Sequence, residues 1–263
     1  MTNYVVLSTT DHGAAHWLAR SGYNFAKGQQ VSPVFLAELG KLLPQYALGF
    51  IKNEDGFQAV VLTGLGEERN VYLGADGLWL SQYVPAKLRG YPFALIDRGD
   101  GEKVLCIEET HLLENQEAEH LNSLPLFDEK SELTHEAAKL LNFLNFCEHN
   151  RVLTDTACLK LADAGLIEPW VIELIRGEEE VPTEVRGVYR INEELLNTLD
   201  AQVIGVLREG GALSLAYAQL FSMSQIEQLN LRDKYQDQQI KSAPQNETNG
   251  ILEDSGNISF DFL

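Results

Sequence analysis

The chain has 263 residues, of which 44% are hydrophobic and 22% charged, enough apolar material for one large cored domain or two small ones. Asp and Glu total 39 against 20 Lys and Arg, a formal charge of -19 that repels duplex nucleic acid and anionic membranes. No Lys/Arg cluster interrupts that field, so generic nucleic-acid binding is excluded.

The opening MTNYVVLSTTDHG has no basic segment followed by an apolar run, and so reads as no signal peptide. VSPVFLAELGKLLPQ then offers a short helix ending near Pro44. A run of hairpins follows. YALGFIK and FQAVVLTGL flank NEDG, NVYLG and LWLSQ flank ADG, and YPFALID and KVLCIEE flank RGDGE. Asp55-Gly56, Asp76-Gly77 and Asp100-Gly101 supply the positive φ angles that tight hairpin turns demand. The pattern predicts an antiparallel meander.

From Glu108 to Glu132 the chain is acidic and turn-rich, a solvated connector. THEAAKLLNFLNFCEHN places Leu140, Leu141, Phe143, Leu144 and Cys147 on one apolar stripe, and DTACLKLADAG reads as a second helix closed by Gly165. LIEPWVIELI and VRGVYRI read as strands around the turn GEEEVPTE. Short helices follow: one after Asn192, one ending at Gly210-Gly211, and one capped by Ser224 with Glu227 completing a capping box. GGALSLAYAQLFSMSQ, within this region, is too short and too polar to span a bilayer. Beyond Tyr235 the polar QDQQIKSAPQNETNGILEDSGNIS predicts disorder, yet the chain closes on FDFL.

The expected architecture is therefore α+β, an antiparallel β-meander in the N-terminal half packed with a helical C-terminal half and a disordered tail. Residues 1–127 form the β-rich half, and residues 128–235 a mainly helical half with a winged-helix-like order of elements. Residues 236–263 form the tail. The wing would hold GEEE, which suits a protein partner rather than DNA.

Chemistry-bearing motifs are sparse. Gly64-x-Gly66 follows a β run, but Arg69 stands where a third glycine belongs and another strand follows, so a dinucleotide site is rejected. His12 and His16 have a metal-like spacing without a third ligand beyond Asp11, and no metal or cofactor is expected. Cys147 and His149 would point to different sides of a helix. The three cysteines, Cys106, Cys147 and Cys158, lack CxxC spacing and suit reduced thiols, hence a cytoplasmic protein.

One string stands out. WLSQYVPAKLRGYPFAL, from Trp79 to Leu95, sets aromatic residues around Lys87 and Arg89. Arg89 would hold a carboxylate bidentately while Tyr83 or Tyr91 offers a stacking face; Trp79 and Lys87 complete the candidate surface. The competing reading is that the aromatics pack the sheet and Arg89 pairs with an acidic neighbour. At the far end Phe260, Phe262 and the Leu263 carboxylate form an anchor that a partner pocket, or the chain's own domain, would capture.

The W-x₃-Y-V-P-A-x-L-R-x-Y-P-F string, with VSPVFLAE, VVLTGLGEERNVYLGADG, LPLFDE and GVYRINEELLNTLDAQVIGVLREGGALSLAYAQLFSM, resembles the SapC family across residues 17–235. That family brings no catalytic residues to carry over. The resemblance implies work beside a flavin-dependent halogenase-like protein or an outer-membrane uptake system.

Together these point to a non-catalytic protein- or peptide-binding accessory factor, with homo-oligomerisation left open. The rival is an enzyme of uncharacterised type acting on a peptide or amino-acid-derived substrate, with Asp97, Arg98, His111 and Cys106 as its candidate groups.

Overall fold

The structure is a computed structural model and describes residues 3–66, 69–99, 101–114, 122–176 and 181–242. In chain order its strands are β1 (Tyr4–Val6), β2 (His16–Leu18), β3 (Val31–Pro33), β4 (Leu48–Asn53), β5 (Gly56–Leu62) and β6 (Phe93–Asp97). Then come β7 (Lys103–Glu108), β8 (Leu112–Leu113), β9 (Ser123–Pro125), β10 (Ile167–Arg176) and β11 (Val181–Ile191). Every strand pairing among the described residues is antiparallel, and the C-terminal half is mainly helical, so the fold is α+β.

The glycine of each Asp-Gly pair has positive φ: Gly56 at 125°, Gly77 at 78° and Gly101 at 85°. Two of these turns close full hairpins, β4–β5 and β6–β7. The third closes only a bridge between Leu73 and Trp79, where longer strands were expected. Asp76 there accepts from the Leu78 N–H at 3.0 Å, a local turn contact rather than a ladder.

The chain divides into two units. The first comprises Met1–Tyr23 and Ala86–Arg151. Its main sheet has the order β1-β7-β6, and a second small sheet the order β8-β2-β9. Trp17, Phe93, Ile107 and Leu126 form its core, with the Trp17 and Phe93 rings edge-on at 5.0 Å. Burying such side chains stabilises by roughly 1.5–3 kcal/mol each, so this small core is the first unit's main driving force.

The second unit comprises Asn24–Pro85 and Val152–Leu263. Its five-stranded sheet has the order β10-β11-β4-β5-β3. Pro33 lies in edge strand β3 and Pro169 in edge strand β10, the positions where a missing N–H costs least. Helix Ala212–Ser222 is stitched to this sheet by buried polar groups. Gln219 accepts from the Ile191 N–H at 2.9 Å and donates to the Leu48 carbonyl at 3.3 Å, while Ser222 Oγ accepts from the Leu48 N–H at 2.9 Å. The core around Leu48, Phe50, Val60, Leu161 and Leu215 is larger than that of the first unit.

Two helical expectations change. The segments read as separate helices form one helix of 29 residues, His135–Asp163. Arg151-Val152-Leu153-Thr154 contains neither Gly nor Pro, so nothing breaks the ladder between them. Ser224 does not cap the last helix: its hydroxyl bonds back to the Phe221 carbonyl at 3.3 Å, and a short 3₁₀ turn, Met223–Gln225, leads in instead. That last helix, Ile226–Ser242, continues past Tyr235 to Ser242, and the rest of the tail lies outside the described residues.

Candidate functional site

The aromatic-cation string falls across both units. Trp79 and Tyr83 belong to the second, Lys87, Arg89 and Tyr91 to the first. Phe260, Phe262 and Leu263 lie outside the described residues.

In the second unit the aromatics form a hydrogen-bonded stack. Trp79 Nε1 donates to the Tyr46 hydroxyl at 2.7 Å, and that hydroxyl donates to the Tyr83 carbonyl. The Tyr46 and Tyr72 ring centroids are 4.5 Å apart, and Tyr72 stacks on Trp79 at 6.1 Å. Burial pushes both the Tyr46 and Tyr72 hydroxyls up, so neither ionises near neutrality. Tyr83 donates to Glu38 Oε2 at 2.9 Å, and Glu38 Oε1 accepts from the Phe35 N–H at 3.0 Å. The Lys41 ammonium sits 5.4 Å from the centre of the Tyr83 ring. Trp79 and Tyr83 thus hold the loop 79–83 onto the sheet's end.

In the first unit the residues after Pro85 make a single helical turn, Ala86–Arg89, followed by Gly90. Gly90 is there for space: a Cβ would meet Leu144 Cδ2 at 2.7 Å. The guanidinium of Arg20 fixes this segment. Its Nη1 donates to the Arg89 carbonyl at 3.1 Å and the Tyr91 carbonyl at 3.2 Å, and its Nη2 to the Tyr23 hydroxyl at 2.9 Å. Lys87 is exposed; Arg89 and Tyr91 are half-buried. The Arg89 guanidinium lies 5.0 Å from the centre of the Phe143 ring.

Tyr91 leads to a second polar group. Its hydroxyl donates to Glu108 Oε2 at 3.4 Å, and Thr110 Oγ1 donates to the same oxygen. Its ring meets His111 edge-on at 5.0 Å. His111 Nδ1 faces the Leu18 carbonyl at 2.6 Å, which requires the proton on Nδ1. Burial, then the Glu108 charge, pushes the Tyr91 hydroxyl up to about 12.

Of the groups proposed for an enzyme, Asp97, Cys106 and His111 have structural partners. Asp97 accepts from the Gly99 and Gly101 N–H groups at 2.7 and 3.2 Å, closing the β6–β7 turn. Cys106 is buried, and desolvation pushes its thiol up, away from thiolate chemistry. Arg98 is exposed in the same turn. His12 and His16 are on a helical turn and a strand respectively, not on one helix. Among the described residues no three His, Cys, Asp or Glu side chains are grouped to hold a metal, and no helix is long and apolar enough to cross a membrane.

A family model described as SapC matches residues 7–229. The chain belongs to the SapC family. No curated protein and no solved structure matches it. The matched span runs through every described contact of the aromatic-cation string, so those contacts lie within the SapC region.

Several residues at these sites are not singled out by sequence reasoning. Glu38 had a signal, a lone acid inside the apolar run VFLAELG. Glu108 had another: alternation in KVLCIEE puts Cys106 and Glu108 on one face, and a carboxylate there needs donors. Arg20 and Tyr46 had little, because beyond Tyr23 and Trp79 the groups they bond are distant backbone carbonyls.

Proposed function

We propose that this SapC-family chain is a non-catalytic protein- or peptide-binding accessory factor, and that Lys87, Arg89 and Tyr91 form its recognition segment. The observation that carries this is the Arg20 clamp on the Arg89 and Tyr91 carbonyls. It fixes the backbone of the segment in advance, so little conformational entropy is lost when a partner binds. Exposed Lys87 and half-buried Arg89 and Tyr91 then offer charge and a ring face from one short turn. Phe260, Phe262 and Leu263 act as a second, tethered anchor in this reading.

The thiols of Cys106, Cys147 and Cys158 are buried and not joined in disulfides, which supports a cytoplasmic setting. The family resemblance suggests a halogenase-like protein or an uptake-system component as the partner.

Affinity capture from native cells with wild type, Arg89→Ala and a form lacking 260–263 tests this. Both changes should weaken capture at unchanged Tm. Undiminished capture by a folded Arg89→Ala protein overturns the role of the segment. A lowered Tm without the last residues assigns the anchor to the chain's own domain.

A further inference from the structure

The main sheet of the first unit has two unlike faces. Val5, Ile107 and Phe93 share a register row, and Ile107 and Phe93 are core. Alternation therefore turns Tyr4 and Glu108, then Val6, Cys106 and Ala94, then Val104 and Ile96, to the opposite face. On that face Val6 is 49% exposed and Ile96 39% exposed, an apolar surface left open at both edge strands.

Glu108 stands at one end of it. The residue is only 7% exposed. Its Oε2 takes the Tyr91 and Thr110 hydroxyls, while its Oε1 has no hydrogen-bond donor among the described residues. No described Lys or Arg lies within ion-pair distance of it. Tyr4 is the register partner of Glu108 across β1 and β7, and its hydroxyl is pushed up by burial and then by the Glu108 charge. The undonated Oε1 is not among the fully buried polar atoms, so it stays open to an incoming cation.

We infer that Glu108 receives the primary ammonium of a lysine side chain, from a peptide laid across the Val6–Ile96 face. This rests on the peptide-binding reading above and names the ligand chemistry at its first-unit site. An ammonium fits better than a guanidinium, because one carboxylate oxygen is already taken and the arginine fork needs both. Val6 and Ile96, exposed on the same face, take the apolar residues of the peptide. The site is opposite in sign to Arg89, so one peptide carrying both a lysine and a carboxylate would meet complementary groups.

The test is NMR titration of the full chain with acetyl-Val-Lys-Val-amide, its Nε-acetyl-lysine form, its arginine form, and butylamine. The lysine peptide should shift amides of residues 4–6, 94–96 and 106–110 saturably. Acetylation and Glu108→Gln should each weaken it about tenfold or more, the loss of one charge-assisted bond. Butylamine shifting the same amides as tightly as the peptide would make the ligand a free amine and overturn the peptide requirement. Equal binding of lysine and acetyl-lysine forms, or none by either, overturns the inference, and needs only the wild-type chain. Capture that still depends on Arg89 in that case leaves the peptide-binding reading standing; capture independent of Arg89 as well ends both.

Discussion

Arg69 and Asp233 form a buried ion pair, with Nη2 to Oδ1 at 2.6 Å and Nε to the same oxygen at 3.0 Å. The Asp233 side chain is fully buried and that of Arg69 is 12% exposed. The pair ties helix Ile226–Ser242 to the segment that begins at Arg69. Gln236 adds donors to the Asn70 and Leu73 carbonyls, and Arg232 covers the Tyr72 ring at 4.7 Å.

Asp233→Ala should therefore destabilise the second unit by about 3–5 kcal/mol, since it leaves a guanidinium with little access to water. Urea denaturation reads this. The double variant Arg69→Met with Asp233→Leu should lose less than Asp233→Ala, because no buried charge is stranded. Equal losses would mean the helix is held by packing alone.

Glu148 receives both Lys103 Nζ at 2.6 Å and Arg151 Nη2 at 2.7 Å. The Arg151 hydrogen bond, ahead of that from Lys103, holds its carboxyl down at about 2, against an ordinary value of 4.5. A depressed folded value means the stabilisation is complete above pH 4.5 and lost as pH falls through about 2. Glu148→Gln should thus be less stable than wild type at neutral pH, with the gap closing across that window. A gap independent of pH would sink the assignment.

The Tyr46 hydroxyl links Trp79 Nε1 to the Tyr83 carbonyl. Tyr46→Phe removes the hydrogen bonds to a half-buried donor and a half-buried acceptor, at a cost of about 1 kcal/mol. The loss should appear in thermal unfolding and leave partner capture unchanged, which separates scaffold aromatics from the recognition segment. Lost capture at unchanged Tm would place Trp79 and Tyr83 in the binding surface.

Much of the fold was legible because it is local. Asp-Gly turns mark β4–β5 and β6–β7, and Asn192 caps helix Glu193–Thr198 by accepting from the Leu195 N–H at 2.8 Å. What periodicity does not encode is sheet membership: β5 pairs with β3 and β4, while β6 pairs with β7 in the other unit. The aromatic-cation string was visible as composition, but its division between units was not, because the crossing falls between Pro85 and Ala86 without any linker-like sequence. Glu108 escaped for a similar reason. Its donors Tyr91 and Thr110 reach it through strand pairing and a turn, neither of which a spacing rule reports.

The Arg20 clamp gives the last prediction. Arg20→Ala removes the donors to the Arg89 and Tyr91 carbonyls, a loss of about 1–3 kcal/mol felt mainly in this segment. Two neighbouring bonds report on it: Phe93 N–H to the Gly90 carbonyl at 2.9 Å, and Glu108 N–H to the Pro92 carbonyl at 2.9 Å. Hydrogen exchange at Phe93 and Glu108 should quicken, while amides of β4 and β5 in the second unit keep their protection. Capture by Arg20→Ala should then fall even though its side chain is engaged by backbone carbonyls, because the recognition segment must be reordered on binding. Faster exchange with capture unchanged would show that rigidity of the turn is irrelevant to the partner. Unchanged exchange would show that Gly90 against Leu144, rather than Arg20, holds the turn.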